Sequence, residues 1–112
     1  MNRSEFQTIL ESKRDWVVVW LSAVWCIPCK TVDPLIAPWI EQLPEKVAVL
    51  HLDIDKCFDV YAVLRAKKQV RGIPALLGYK PGNETLYSDV SCSGTSESEI
   101  DAFFRTILHL NV

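Results

Sequence analysis

Residues 17–30, VVVWLSAVWCIPCK, run from a stretch of β-branched side chains straight into two cysteines separated by two positions. DWVVVWLSA, residues 15–23, reads as a strand whose two faces are both apolar, the mark of a central strand covered on both sides. Pro28 stands where a helix would begin, and a helix tolerates proline in its first turn because those amides have no internal partner. The stretch therefore reads as strand, corner, helix, with Cys26 at the corner and Cys29 one turn further in. Unpaired amides and the positive end of the helix dipole stabilise a thiolate there, and the thiolate is the reactive species. This predicts an exposed attacking sulfur on Cys26 and a sheltered one on Cys29, near enough to close a disulfide. In thiol-disulfide exchange Cys26 would attack a substrate disulfide, and Cys29 would then attack the mixed disulfide.

Outward from this stretch the chain alternates. Ser4 is positioned to cap a first helix that carries Phe6, Ile9 and Leu10 at helical spacing. Residues 29–42 continue the second helix, with Pro34 and Pro38 expected to kink it. KVAVLHLDID reads as a second buried strand, and DKCFDVYAVLRAKK as a short helix offering Phe58, Tyr61, Ala62 and Leu64 for packing. IPALLGY and ETLYSDV, joined by KPGN, read as a hairpin. TSESEIDAFFRTILHL opens with a capping-box pattern, Ser96 and Glu99, and carries Ile100, Phe103, Phe104, Ile107 and Leu108 on one face. The order α-β-α-β-α-β-β-α implies an α/β sandwich, a mixed sheet of four strands flanked by helices.

The 112 residues suit one domain spanning 1–112. With 12 Lys and Arg against 14 Asp and Glu, spread along the chain, there is no electrostatic reason to seek nucleic acid or an anionic membrane. The amino terminus lacks the apolar core of a signal peptide, and the longest apolar run, Trp16 to Ile27, is too short to span a bilayer. A soluble, cytoplasmic protein is expected. In a reducing compartment cysteine pairs are usually catalytic or metal-binding.

WCIPCK resembles the WCGPCK motif of the thioredoxin family. VRGIPALLGY, whose Pro74 lies 48 residues after Cys26, resembles that family's cis-proline loop and following strand. The likeness runs from about Ser4 to Leu110. It implies a thioredoxin-like fold and a protein-disulfide reductase, with Cys26 as nucleophile, Cys29 as resolving thiol, Trp25 shielding the disulfide and Pro74 facing it in cis. It further implies a substrate groove formed by Ile27, Pro28, Ile73, Pro74 and the segment around Ser93 and Gly94. No cofactor or metal is implied beyond the Cys26–Cys29 disulfide. The partners implied are protein disulfides and a thioredoxin reductase-type electron donor, with the chain a monomer.

The departures from the family pattern are specific. The family's first strand is not expected here, leaving four strands rather than five. Trp20 stands where the family usually holds a buried aspartate, and His51 where many bacterial members place lysine. Tryptophan is no base at physiological pH, so Cys29 must lose its proton to water, to His51 or to the leaving thiolate; alternatively His51 is only a structural partner of Trp20. Ser22 replaces a tryptophan, a gap that Trp20 or Trp39 is expected to refill. Cys57 is expected to begin a helix away from the active-site end, and Cys92 to follow the last strand near the groove, as a regulatory thiol or a small semi-buried residue. Two other functions fit the composition: an interaction or chaperone module with little redox turnover, and a zinc site, although a second C-x-x-C is lacking.

Overall fold

The computed structural model describes residues 1–110, with side chains through Leu108. Its elements are α1 (Arg3–Ser12), β1 (Val17–Ser22), α2 (Ile27–Gln42), β2 (Ala48–Asp53), α3 (Phe58–Ala66), β3 (Ala75–Tyr79), β4 (Val90–Ser93) and α4 (Glu97–Leu110). The strands form one mixed sheet in the order β2-β1-β3-β4. β1 runs parallel to β2, while β3 is antiparallel to both β1 and β4. This is the expected four-stranded α/β sandwich.

Strand alternation divides the core. Val17, Val19 and Leu21 face Phe6 and Leu10 of α1 and Val60 and Leu64 of α3. Trp16, Val18 and Trp20 point the other way, towards Val32 and Ile36 of α2 and Ile100, Phe104 and Ile107 of α4. Every residue from Val17 to Leu21 is buried, as a central strand requires. At Gly78 an added Cβ would lie 2.6 Å from Val90 Cγ2 and 3.2 Å from Trp16, so only glycine lets β4 and Trp16 approach β3 this closely.

Four local expectations need correction. The cap of α1 is Asn2 rather than Ser4: its side chain accepts the Glu5 amide at 2.8 Å, and the Glu5 carboxylate accepts the Asn2 amide at 3.1 Å. β2 is only partly buried because it lies at the sheet edge, where His51 is exposed. On α3, Phe58 is 72% exposed and Ala62 is exposed, because Val60 and Leu64 set the buried stripe. The hairpin's second strand begins only at Val90. Residues 83–89 instead wrap around Asn83, whose side chain donates to Tyr87 O and Asp89 Oδ2 and accepts from the Thr85 amide. These side-chain bonds offer the backbone an alternative to the strand ladder.

Helix α2 extends over 16 residues with Pro34 and Pro38 inside it, as one helix rather than two. Helix α4 begins as expected, with Ser96 Oγ accepting the Glu99 amide at 3.3 Å.

Candidate active site

The parallel strand β1 ends at Ser22, and the chain turns through residues 23–26 into α2. Cys26 is the N-cap of that helix, with φ −84° and ψ 106°, and its Sγ accepts the Cys29 amide at 3.1 Å. The helix places Cys29 one turn on, with the two Cα atoms 5.3 Å apart, and the two sulfurs form a disulfide. Both residues are buried in this oxidised form, Cys26 at 4% and Cys29 at 2% exposure. The exposed attacker expected at Cys26 is therefore not found: at the N-cap the sulfur turns inward over the first helical amides.

What is exposed is the rim. Val24, Trp25 and Ile27 are 75%, 63% and 74% exposed, and Pro28 is exposed beside them. Trp25 is tethered across the corner by its indole N–H, which donates to Asp55 Oδ2 at 2.8 Å. The Asp55 amide in turn donates to Asp53 Oδ1 at 2.8 Å. Asp55 and Val24 were missed from sequence. The acidic residues bracketing Ile54 in DID were the available signal, but their partner lies 30 positions away.

The Ile73–Pro74 peptide is cis, and Pro74 is buried. Ser93 pairs with Ala75, and the Gly94 amide donates to Pro74 O at 3.0 Å, so the loop after β4 lies against the proline. Gly94 has φ +94°, a conformation that favours glycine. Ile73 packs against the same apolar cluster that holds Cys26 and Cys29. Ile73, Pro74, Ser93 and Gly94 are thus brought together as expected.

Trp20 pairs in register with His51 across the parallel ladder, and their rings stack with centroids 3.8 Å apart and planes within 3°. Ser22 Oγ lies 2.9 Å from His51 Nε2. The space at Ser22 is not refilled by Trp20 or Trp39. Trp39 stacks on Phe104 instead and donates to Asp101 Oδ1 at 3.1 Å. A cavity of about 300 Å³ remains, bordered by Ser22, Cys29, Asp33, His51 and Asp53.

The remaining cysteines also depart from expectation. Cys57 caps α3 at the carboxyl end of β2, and because β1 and β2 are parallel this is the same end of the sheet as Cys26. Cys92 lies within β4, not after it, and is buried among the α2 and α4 side chains. Burial, and then the Glu99 carboxylate, push its thiol above the ordinary range.

The family model described as Thioredoxin matches residues 1–106. The chain belongs to the thioredoxin family. Thioredoxin-2 of Saccharomyces cerevisiae is 38% identical over 81 residues, covering 72% of this chain and 73% of its own. Thioredoxin of Oryctolagus cuniculus is 32% identical over 111 residues, covering 96% and 94%. Among solved structures, oxidised mitochondrial thioredoxin 3 of Saccharomyces cerevisiae superposes with a TM-score of 0.71 at 21% identity, covering 94% of this chain and 90% of that one. A thioredoxin of Plasmodium falciparum gives 0.71 at 23% identity, with coverages of 94% and 93%. These structures bear on the fold; the family match and the disulfide bear on the chemistry. As a thioredoxin the protein is a thiol-disulfide oxidoreductase acting on protein disulfides, and thioredoxins work through their own disulfide.

Proposed function

We propose that this thioredoxin reduces client disulfides with Cys26 as the nucleophile and Cys29 as the resolving thiol. The Cys26 thiolate attacks one sulfur of the client disulfide, whose other sulfur leaves as a thiolate. Cys29 loses its proton and attacks Cys26 Sγ, the mixed disulfide breaks, and the second client thiolate departs. Two electrons pass to the client and the protein keeps the Cys26–Cys29 disulfide. The observation carrying this order of attack is the Cys29 amide held on Cys26 Sγ, since a donor already aimed at that sulfur favours its thiolate. Trp25 and Ile27 on the rim, with Ile73, Pro74, Ser93 and Gly94 opposite, form the groove for an extended client segment. The cycle is completed by a thioredoxin reductase-type electron donor. The reading includes a cytoplasmic monomer.

The test is the equilibrium potential of the pair, titrated in dithiothreitol buffers and followed by tryptophan fluorescence, alongside insulin reduction. A value more negative than about −230 mV, in the range of reducing dithiols, is expected. A value above about −180 mV would make the protein an oxidant or isomerase. Absence of a titrating pair would favour a binding module.

A further inference from the structure

The reaction requires Cys29 to lose a proton inside a site where it is buried. The indole at Trp20 can take none. Side-chain alternation places Trp20 and Ser22 of β1 on one face of the sheet, with His51 and Asp53 of β2 beside them in register. That is the face covered by α2, and Cys29, Lys30 and Asp33 from its first two turns line the same cavity. One hydrogen bond crosses it diagonally, between Ser22 Oγ and His51 Nε2.

We propose that Ser22 and His51 form a proton relay for Cys29, with Trp20 as the residue that positions the imidazole. The relay rests on the assignment of Cys29 as the resolving thiol. With the imidazole proton on Nδ1, Nε2 accepts from the Ser22 hydroxyl, and the hydroxyl oxygen accepts in turn from Cys29 S–H, directly or through water in the cavity. In the mixed disulfide the Cys29 proton moves to this chain as a proton reaches Nε2. The Cys29 thiolate then forms the bond to Cys26 Sγ, and the bond from Cys26 to the client breaks with its electron pair on the client sulfur. The imidazolium returns its proton to solvent or to the departing thiolate. His51 suits the exit because it is exposed at the sheet edge.

The surroundings set its protonation. One ring face lies against Trp20, which is 7% exposed and whose indole N–H is buried without a hydrogen-bond partner. The indole is therefore held there by packing and the stack. Desolvation lowers the His51 pKa from its ordinary value, while Asp33 of α2 and Asp53 of β2 pull it back upward. Lys30 of α2 and Cys29 are the other titratable groups around the cavity, and the β1 contribution is neutral. The imidazole is thus neutral at pH 7 and able to accept, and the two aspartates favour the imidazolium once formed. An imidazole also lies closer in ordinary pKa to a thiol than a carboxylate does, so less driving force is lost.

The decisive experiment is stopped-flow reaction of the reduced full chain with dithiobis(nitrobenzoate) between pH 5 and 9. Attack by Cys26 releases one thionitrobenzoate, and resolution by Cys29 releases the second. In the parent protein the second phase should rise with pH through an inflection below about 6.5, as His51 becomes neutral. His51→Gln should leave the first phase intact, abolish that inflection and slow the second phase about 10²-fold at pH 7, with imidazole buffer restoring it. Ser22→Ala should slow the second phase while keeping the inflection, and Trp20→Leu should move the inflection upward by uncovering the ring. A His51→Gln protein with the parental second-phase rate and inflection would overturn the relay while leaving the dithiol cycle standing. Equal slowing of both phases without imidazole rescue would overturn it as well, exposing a structural effect. If the parent never released the second equivalent, the dithiol cycle itself would fall.

Discussion

Helices α2 and α3 both start from a cysteine beyond the carboxyl end of a parallel strand, Cys26 after β1 and Cys57 after β2. In α2 the amide three residues on, that of Cys29, donates to the cap sulfur. In α3 the equivalent amide, that of Val60, is taken by Asp59 Oδ1 at 2.9 Å, and the Cys57 side chain makes no cap bond. The contrast lies in the three residues that follow each cap, Ile-Pro-Cys against Phe-Asp-Val. Proline brings no carboxylate to compete for the helix amides, and the third position supplies the second sulfur. A helix N-terminus is therefore not enough to make a cysteine redox-active. The free amide must reach the sulfur, and a partner thiol must sit one turn on.

The comparison breaks most sharply at the third position. Cys29→Ser should abolish multiple-turnover insulin reduction and trap a mixed disulfide on Cys26, visible by mass spectrometry, whereas Cys57→Ser should leave turnover unchanged. Next, Pro28→Asp would give α2 the carboxylate that α3 already carries. It should raise the Cys26 pKa in the reduced protein by about one unit, read from the pH dependence of alkylation, because the new charge opposes the thiolate and competes for the Cys29 amide. The reverse change, Asp59→Ala, removes the acceptor for the Val60 amide and for the Arg3 amide at 2.8 Å. It should cost about 1 kcal/mol, seen as a Tm roughly 4–8 °C lower, with the redox potential unchanged.

The smallest effect concerns Cys92, which lies at neither helix start. Its thiol pKa is raised in the folded state, so the folded chain keeps a proton that the unfolded chain releases. Stability is then lost as pH rises above the ordinary thiol range near 8.5. Cys92→Ala should flatten that alkaline decline in denaturant titrations. In the reduced parent at pH 8, iodoacetamide should modify Cys26 well before Cys92.

Much of the site was legible because its parts are local. The run of buried residues before Cys26, proline in the first turn and a two-residue spacing between thiols are chain-adjacent features, and the structure keeps them together. Pro74 was legible only through the family resemblance, since nothing nearby in sequence says which segment it faces. Exposure was read less well. Phe58 and His51 were placed by apolar spacing or strand pattern, yet Phe58 begins its helix outside the buried stripe and His51 sits on an edge strand. The late start of β4 was hidden because the Asn83 side chain satisfies the loop backbone where a ladder was expected.

Elements and their order, and the pairing of Cys26 with Cys29, follow from periodicity and spacing within single segments, where sequence neighbours are also spatial neighbours. The stack of Trp20 on His51, the Ser22–His51 bond, the Trp25–Asp55 tether and the end of the sheet shared by Cys26 and Cys57 were decided only in the tertiary structure. The first two depend on how β1 and β2 pair across about 30 intervening residues, where a slip of one position would turn His51 to the face opposite Trp20 and Ser22; the last two depend on the loops that this parallel pairing brings to one end of the sheet.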